Sequence, residues 1–198
     1  EKFLCIGLNY ADHAAESNLP IPKEPILFMK PISARVGPND PVVLPQGSVK
    51  SDWEVELGVV IGSKARYVSE ADAPSYIAGY TIMNDFSARD IQLQEMACRL
   101  GPAKGKDFAT AIGPCIVTPE EIPDLASLQM IARVNGEVWS QGRFGSIHWS
   151  FPQMIEHVSR GEAIYPGDLF GSGTVGGGCG LELDRYLQPG DCIELEIQ

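Results

Sequence analysis

The stretch Asp52-Trp53-Glu54-Val55-Glu56-Leu57 alternates acidic and apolar residues without a break and runs on into Gly58-Val59-Val60-Ile61 before Gly62. Alternation with period two and a β-branched tail is the pattern of a strand, not of a helix. Successive side chains on a strand point to opposite faces, so Trp53, Val55 and Leu57 share one face and Asp52, Glu54 and Glu56 the other. The first face must meet a core. Three like charges within two pleats repel one another, so the second face is either solvated or holds a cation. The hexapeptide alone leaves both open.

A chain of 198 residues, 44% hydrophobic, is long enough for one domain with a sizeable core, and a single domain over 1–198 is expected. Its 15 basic residues against 26 acidic ones leave a net charge of -11, which disfavours nucleic acid and anionic membrane as partners. The five cysteines, Cys5, Cys98, Cys115, Cys179 and Cys192, lie far apart with no CxxC pair. Neither a disulfide framework nor a structural zinc site is suggested, and a reducing cytoplasm is the natural setting. No stretch approaches the roughly 20 apolar residues that span a bilayer, and residues 1–30 lack the layout of a signal peptide. Both ends, Glu1 to Ile6 and Glu194 to Gln198, read as strands cut open. A piece of a longer protein is therefore expected, with strand edges that a second copy would cover.

In chain order, Lys2 to Gly7 reads as a buried strand that turns through Asn9-Tyr10 into the Ala-rich helical turn Ala11 to Glu16. His13 and Glu16, three apart, fall on one face of that turn. Ser17 to Pro25, with its prolines, reads as a mobile loop carrying it. Pro25 to Pro31 and Pro41 to Leu44 read as short strands, Ser69 to Ala73 as a capped helical turn, and Ile77 to Met83 as a strand that ends near the lone acid Asp85. Ser87-Ala88-Arg89-Asp90 looks like a capping box opening an amphipathic helix to Arg99. Lys104-Gly105-Lys106 then puts two lysines on a glycine-bearing loop.

Ile112 to Val117 is a strand, followed by a proline-started turn at Thr118-Pro119. Asn135-Gly136 joins Leu128–Val134 to Glu137–Ser140 as a hairpin. Ser150 with Gln153 caps a helix to Ser159. Pro-Gly-Asp turns precede strands at 169 and 192, and the run Gly171 to Gly180 is too rich in glycine to be read as core. It matches neither GxGxxG at a strand-to-helix turn nor GxxxxGK[ST], so phosphate binding is set aside. About ten strands without regular strand–helix alternation indicate a β-rich α+β fold.

Five separated motifs, Asn9-Tyr10-Ala11-Asp12-His13, Asp52-x-Glu54-x-Glu56, Asn84-Asp85-x-Ser87-Ala88-Arg89-Asp90-x-Gln92, Gly105-Lys106-x-Phe108 and Gly173-Thr174, together resemble the fumarylacetoacetate hydrolase family, in particular its catechol-pathway-like bacterial members. The resemblance implies the family's catalytic C-terminal domain, a mixed β-sandwich roll with a few short helices, and a homodimer formed through it. It implies a divalent metal on Glu54, Glu56 and Asp85, with Asp52 behind them or at the surface. All-oxygen donors suit Mg²⁺, Mn²⁺ or Ca²⁺ rather than zinc. It further implies that His13 and Glu16 activate water. Lys106, Arg89 and Gln92 would surround a developing oxyanion, and Thr174 would bind a substrate carboxylate or carbonyl. An imidazole held by a carboxylate is a base near neutral pH, and a fixed cation stabilises an enolate.

Taken alone, Arg89 has a plainer alternative, an ion pair with Asp90 or a neighbouring glutamate. His148 beside Trp149 and His157 carry no comparable pattern, and packing is the expected role of His148. The reading is a metal-dependent hydrolase that cleaves a carbon–carbon bond in a 2-oxo acid or 1,3-dicarbonyl compound through an enolate stabilised at the metal. Decarboxylation, tautomerisation and hydration share that enolate and stay open. A 2-oxo acid binding module would have no use for His13, and a calcium-stabilised structural domain no use for Lys106 or Arg89.

Overall fold

The computed structural model describes residues 2–16 and 20–198, the side chain of Glu16 excepted. The loop expected over Ser17–Pro25 thus lies partly outside the described residues. Twelve strands are seen: β1 (Phe3–Gly7), β2 (Ile26–Met29), β3 (Arg35–Val36), β4 (Ser51–Asp52), β5 (Val55–Ile61), β6 (Ile77–Asn84), β7 (Ser87–Ala88), β8 (Thr110–Val117), β9 (Gln129–Val134), β10 (Glu137–Arg143), β11 (Leu169–Gly171) and β12 (Ile193–Ile197). Four short helices accompany them: α1 (Ala11–Glu16), α2 (Arg89–Met96), α3 (Phe151–Ser159) and α4 (Gly180–Leu183). The fold is a strand-rich mixed α+β structure with a curled sheet.

A seven-stranded sheet runs in the order β2-β1-β11-β5-β6-β8-β3, beside a three-stranded sheet β10-β9-β12 and the pair β4-β7. The organising strand β5 is central and pairs antiparallel with both β11 and β6. Its apolar face enters the main core with Trp53, Val55, Leu57, Met130, Phe151 and Met154. Trp53 also donates from Nε1 to Ser140 Oγ at 3.1 Å. A smaller cluster of Phe3, Cys5, Met83 and Leu169 forms a second packed region. The acidic residues are therefore not solvated: Asp52, Glu54 and Glu56 are all buried. The strand is also interrupted at Trp53-Glu54, which separates β4 from β5.

Several expectations fail for identifiable reasons. Pro41 to Leu44 forms no strand, as Pro38, Pro41 and Pro45, three prolines in eight residues, supply no ladder donors. Helix α2 stops at Met96, and Leu93, Met96 and Leu100 on its expected core face are 59%, 44% and 92% exposed. Ser87 does not cap it; the Ser87 hydroxyl donates to the Asp85 carbonyl, and Asp90 receives Ser48 and the Val49 N–H instead. Most of the run Gly171 to Gly180 is buried, because bare backbone can press against the acidic site where side chains cannot. Strand β1 is not open, since it lies between β2 and β11, whereas β12 is paired on one side only, with β9, and forms the edge of its sheet. The Asn135-Gly136 hairpin and the Ser150/Gln153 capping box form as the residues dictate.

Candidate active site

Strands β5 and β6 carry the acids to one place. Val55 pairs with Asn84, the Asp85 N–H reaches the Glu54 carbonyl at 3.3 Å, and Asn84 Oδ1 accepts from the Glu54 N–H at 3.1 Å. Glu54, Glu56 and Asp85 thereby each offer a carboxylate oxygen, all within 4.8 Å of one another and all buried. Three cations converge on them. Lys106 Nζ lies 2.8 Å from Glu54 and 2.9 Å from Asp85. Lys30 Nζ binds Asp85 on its other oxygen and donates to the Ala109 carbonyl at 3.0 Å. Arg89 meets Glu54 at 2.8 Å and Asp52 at 2.6 Å.

Arg89 therefore pairs with Asp52 and Glu54, not with Asp90. Asp52 is the residue that aims it, and the same carboxylate accepts the N–H groups of Gly180 and Leu181 at the start of α4. Arg89 Nη1 also donates to Gln92 Oε1 at 3.1 Å, while its Nη2 is buried without a partner among the described residues.

The electrostatics are uneven. Burial opposes ionisation of Glu54, but Lys106 and Arg89 beside it prevail and hold its carboxyl far below the usual range. Burial likewise opposes the charge on Lys106, and Asp85 and Glu54 overcome it to keep the ammonium protonated. Glu56 is pushed well up, first by burial and then by Asp85 and Glu54. Among the described residues no lysine or arginine pairs with Glu56; its hydrogen bond is from the Gly173 N–H at 3.0 Å. Four carboxylates thus face three cations, and Glu56 is the one short of positive charge. A divalent hard cation supplies that charge, and three convergent carboxylates are a donor set it takes, so these residues fit a metal.

His13 arrives from the other side. Asn9 anchors the turn into α1 by donating to the Trp149 and Ser172 carbonyls at 3.0 and 2.9 Å and accepting from the Trp149 N–H at 2.8 Å. Gly176 leaves room for α1, as a Cβ there would sit 2.6 Å from the Asp12 Cβ. Gly173, at φ +81°, turns the backbone so that its N–H faces Glu56 and Thr174 follows, buried. His13 Nδ1 lies 2.5 Å from Glu182 Oε1. The expected partner Glu16 ends α1, and its side chain lies outside the described residues. Cys179 joins His13 and Glu182 within 4.8 Å, and burial pushes its thiol far up. A cleft of about 600 Å³ between residues 37–44 and 187–195 is lined by none of the three central carboxylates.

Lys30, Asp52 as the holder of Arg89, and Glu182 are what sequence reasoning missed. Lys30 had a visible signal, a lysine closing an apolar strand just before Pro31. Glu182 had none, since it meets His13 across 169 residues of chain.

Known proteins are similar to this chain in sequence and in fold. Residues 2–198 match the family described as fumarylacetoacetate (FAA) hydrolase C-terminal. A relative from Sphingomonas sp. (strain SKA58), named 2,4-didehydro-3-deoxy-L-rhamnonate hydrolase, is 47% identical over 199 residues, covering 100% of this chain and 70% of its own length. A solved structure named 2-hydroxyhepta-2,4-diene-1,7-dioate isomerase, from Mycobacterium marinum, superposes with a TM-score of 0.82 at 35% identity over 100% of this chain and 70% of its own. Another, named 5-carboxymethyl-2-hydroxymuconate delta-isomerase, from Mycobacterium smegmatis, gives a TM-score of 0.82 at 34% identity over 100% of this chain and 74% of its own. With the match running from Lys2 to the last residue and the same backbone path in solved relatives, this chain belongs to the fumarylacetoacetate hydrolase family, a family of enzymes.

Proposed function

We propose that the protein is a divalent-metal-dependent hydrolase that cleaves a carbon–carbon bond in a 2,4-dioxo acid. The observation that carries this is the convergence of Glu54, Glu56 and Asp85 with Lys30, Lys106 and the unpartnered Nη2 of Arg89 in one buried place. A Mg²⁺ or Mn²⁺ ion on the three carboxylates would polarise the adjacent oxygens of a 2-oxo acid and stabilise charge that develops there.

The chain's own residues do the rest. Arg89 Nη2 donates to a substrate oxygen, with Gln92 and Asp52 fixing the guanidinium plane. Thr174 offers its hydroxyl to the substrate carboxylate. Glu182 holds Nδ1 of His13, which leaves Nε2 to take a proton from water as that water attacks the C4 carbonyl. Glu16 is proposed to act with it. The C3–C4 bond then breaks and its electron pair moves toward the C2 oxygen as an enolate. Lys106, kept protonated beside Glu54 and Asp85, stabilises that charge. The proton taken by His13 returns to C3. The relative named a 2,4-didehydro-3-deoxy-L-rhamnonate hydrolase has a substrate name of this pattern, two carbonyl carbons flanking a methylene, and favours this reading.

Two neighbours named as isomerases favour a second reading, proton transfer on an unsaturated 2-oxo dioate through the same enolate without hydrolysis. Product analysis separates the two. With 2,4-dioxopentanoate and Mg²⁺ or Mn²⁺, pyruvate and acetate are expected, chelation abolishes turnover, and the metal restores it. Turnover undiminished after complete demetallation overturns the proposal. An isomerised unsaturated acid with no cleavage of any dioxo acid moves it to the second reading.

We further propose that the chain works as a homodimer in the cytoplasm. The edge strand β2 exposes Ile26 and Met29, at 52% and 62%, and an apolar edge of this kind calls for cover. All five cysteines are free thiols, as a reducing compartment maintains, and no helix of the described residues is long and apolar enough to cross a membrane. A stable, active monomer in light scattering would remove the dimer.

A further inference from the structure

The structure assigns a second metal site, distinct in chemistry from the carboxylate cluster, to His13, Cys179 and Glu182: an inhibitory site for a thiophilic divalent ion of the Zn²⁺ class. One imidazole nitrogen, one sulfur and one carboxylate oxygen lie within 4.8 Å of one another, at the joint between α1 and the segment entering α4. Among the five cysteines Cys98, Cys115 and Cys192 are exposed. Cys5 is buried in an apolar cluster with Phe3, Met83 and Leu169. Among the described residues Cys179 is the cysteine grouped with both an imidazole and a carboxylate.

Nitrogen, sulfur and carboxylate oxygen are the donors zinc takes, and at bond lengths of about 2.0–2.3 Å a tetrahedral ion spaces its donors by roughly 3.3–3.8 Å. His13 Nδ1 and Glu182 Oε1, 2.5 Å apart, need only part slightly while the sulfur is drawn in. Binding replaces the His13–Glu182 hydrogen bond with two bonds to the ion, releases the Cys179 thiol proton to solvent, and leaves a fourth position for water. Mg²⁺ has little use for a thiolate, so the two sites sort ions by softness.

The consequence follows from where the donors come from. His13 rides on α1, whereas Cys179 and Glu182 belong to the glycine-rich segment and α4. A bound ion staples the two together and ties up the imidazole. This inhibitory effect rests on His13 being the base of the proposed reaction. The site itself does not.

The test uses the full chain with its carboxylate site saturated with Mg²⁺. Titration with Co²⁺ is expected to give a near-ultraviolet thiolate-to-cobalt charge-transfer band at one equivalent. The band should persist when Cys98, Cys115 and Cys192 are all replaced by serine and vanish in Cys179→Ser. Zn²⁺ should inhibit cleavage of 2,4-dioxopentanoate, and Cys179→Ser should keep basal turnover while needing at least about tenfold more Zn²⁺ for the same inhibition. Absence of the band, or its persistence in Cys179→Ser, overturns the site. Equal inhibition in both proteins overturns the inhibitory role of the site, because zinc would then be acting at Glu54, Glu56 and Asp85. A Cys179-dependent band without inhibition upholds the site and overturns the role of His13 instead.

Discussion

Two halves of the active region are built in opposite ways. The acidic half stands on the most regular part of the molecule, the β5–β6 ladder, where hydrogen bonds from Val55 to Asn84 fix the spacing of Glu54, Glu56 and Asp85. The basic half, His13 with Glu182, stands on a six-residue helix, a glycine run and a four-residue helix. Its placement depends on single side-chain contacts such as those of Asn9. The first half carries charges that repel and is held rigid so that it can keep them together. The second carries one hydrogen-bonded pair and needs only to be docked. Metal affinity should therefore respond to changes in the first half and turnover to changes in both.

The largest effect is expected from Glu56→Gln. The charge of Glu56 is the one without a basic partner, so its loss removes a ligand and turnover should fall by about 10³-fold or more. Stability should move the other way. A carboxyl whose folded pKa is raised contributes stability that is fully present below the unfolded value, near 4.5, and is lost as pH rises through the folded value. The metal-free wild type should thus lose stability as pH climbs from 4.5 toward neutrality, and Glu56→Gln should flatten that slope and raise the neutral-pH Tm. It should also abolish the Mg²⁺-induced rise in Tm. Scanning calorimetry with and without Mg²⁺ reads both arms, and a variant that keeps the Mg²⁺ shift removes Glu56 from the ligand set.

The next effect is confined to chemistry. His13→Ala should lower turnover by roughly 10²- to 10⁴-fold with Mg²⁺ affinity unchanged. Glu182→Gln should follow it, and the double variant should be little worse than either, since residues acting as one unit are not additive. Wild-type turnover in His13→Ala would break the division between the halves, leaving all the chemistry to the carboxylates and their cations. Full turnover in Glu182→Gln with loss in Glu16→Gln would return the orienting role to Glu16.

This division also decides what could be read from the chain. Alternation along Asp52 to Leu57 and the acid after Ile77–Met83 locate the acidic half, because a regular strand converts spacing into geometry. The hairpin at Asn135-Gly136 and the cap at Ser150 are legible for the same reason: the interaction closes within a few residues. What the chain hides is long-range. Nothing local says that the acidic face is covered, that Lys30 crosses 55 residues to Asp85, or that Glu182 crosses 169 to His13. Local patterns also mislead when another contact outbids them. Ser87 looks like a helix cap but serves Asp85, and Leu93 and Met96 look like a core face but remain exposed. Glycine-rich segments read as surface, yet residues 171–175 are buried where backbone must approach a charged site.

Lys30→Met probes the rigid half without replacing a proposed ligand. It removes one cation from a fully buried pair and leaves Asp85 with Lys106 alone. Breaking a buried pair of this kind costs about 3–5 kcal/mol. Mg²⁺ should recover part of the loss, since the ion supplies charge beside the same carboxylate, so the variant's Tm should rise more with Mg²⁺ than that of the wild type. An unchanged denaturant midpoint in Lys30→Met would mean that the pair is not formed in solution.

The smallest effect, and the one that tests whether the halves are separable, is Asn9→Ala. Asn9 is buried where they meet: its amide bonds the Ser172 and Trp149 carbonyls and the Trp149 N–H, and its own carbonyl accepts from the His148 N–H at 2.7 Å. Ser172 in turn accepts the Leu57 N–H on β5 at 3.1 Å. Truncation leaves buried backbone groups without partners, at about 1–3 kcal/mol for each that finds no water. Helix α1 then loses its anchor while the ladder beneath is untouched. Turnover should fall by about tenfold as His13 spends less time in place, equivalent to roughly 1.4 kcal/mol, and Mg²⁺ affinity should stay at the wild-type value. Equal losses of both would show that strain at Asn9 reaches Glu56 through Ser172 and Gly173. The docked half would then be part of the metal's support rather than a separate piece laid over it.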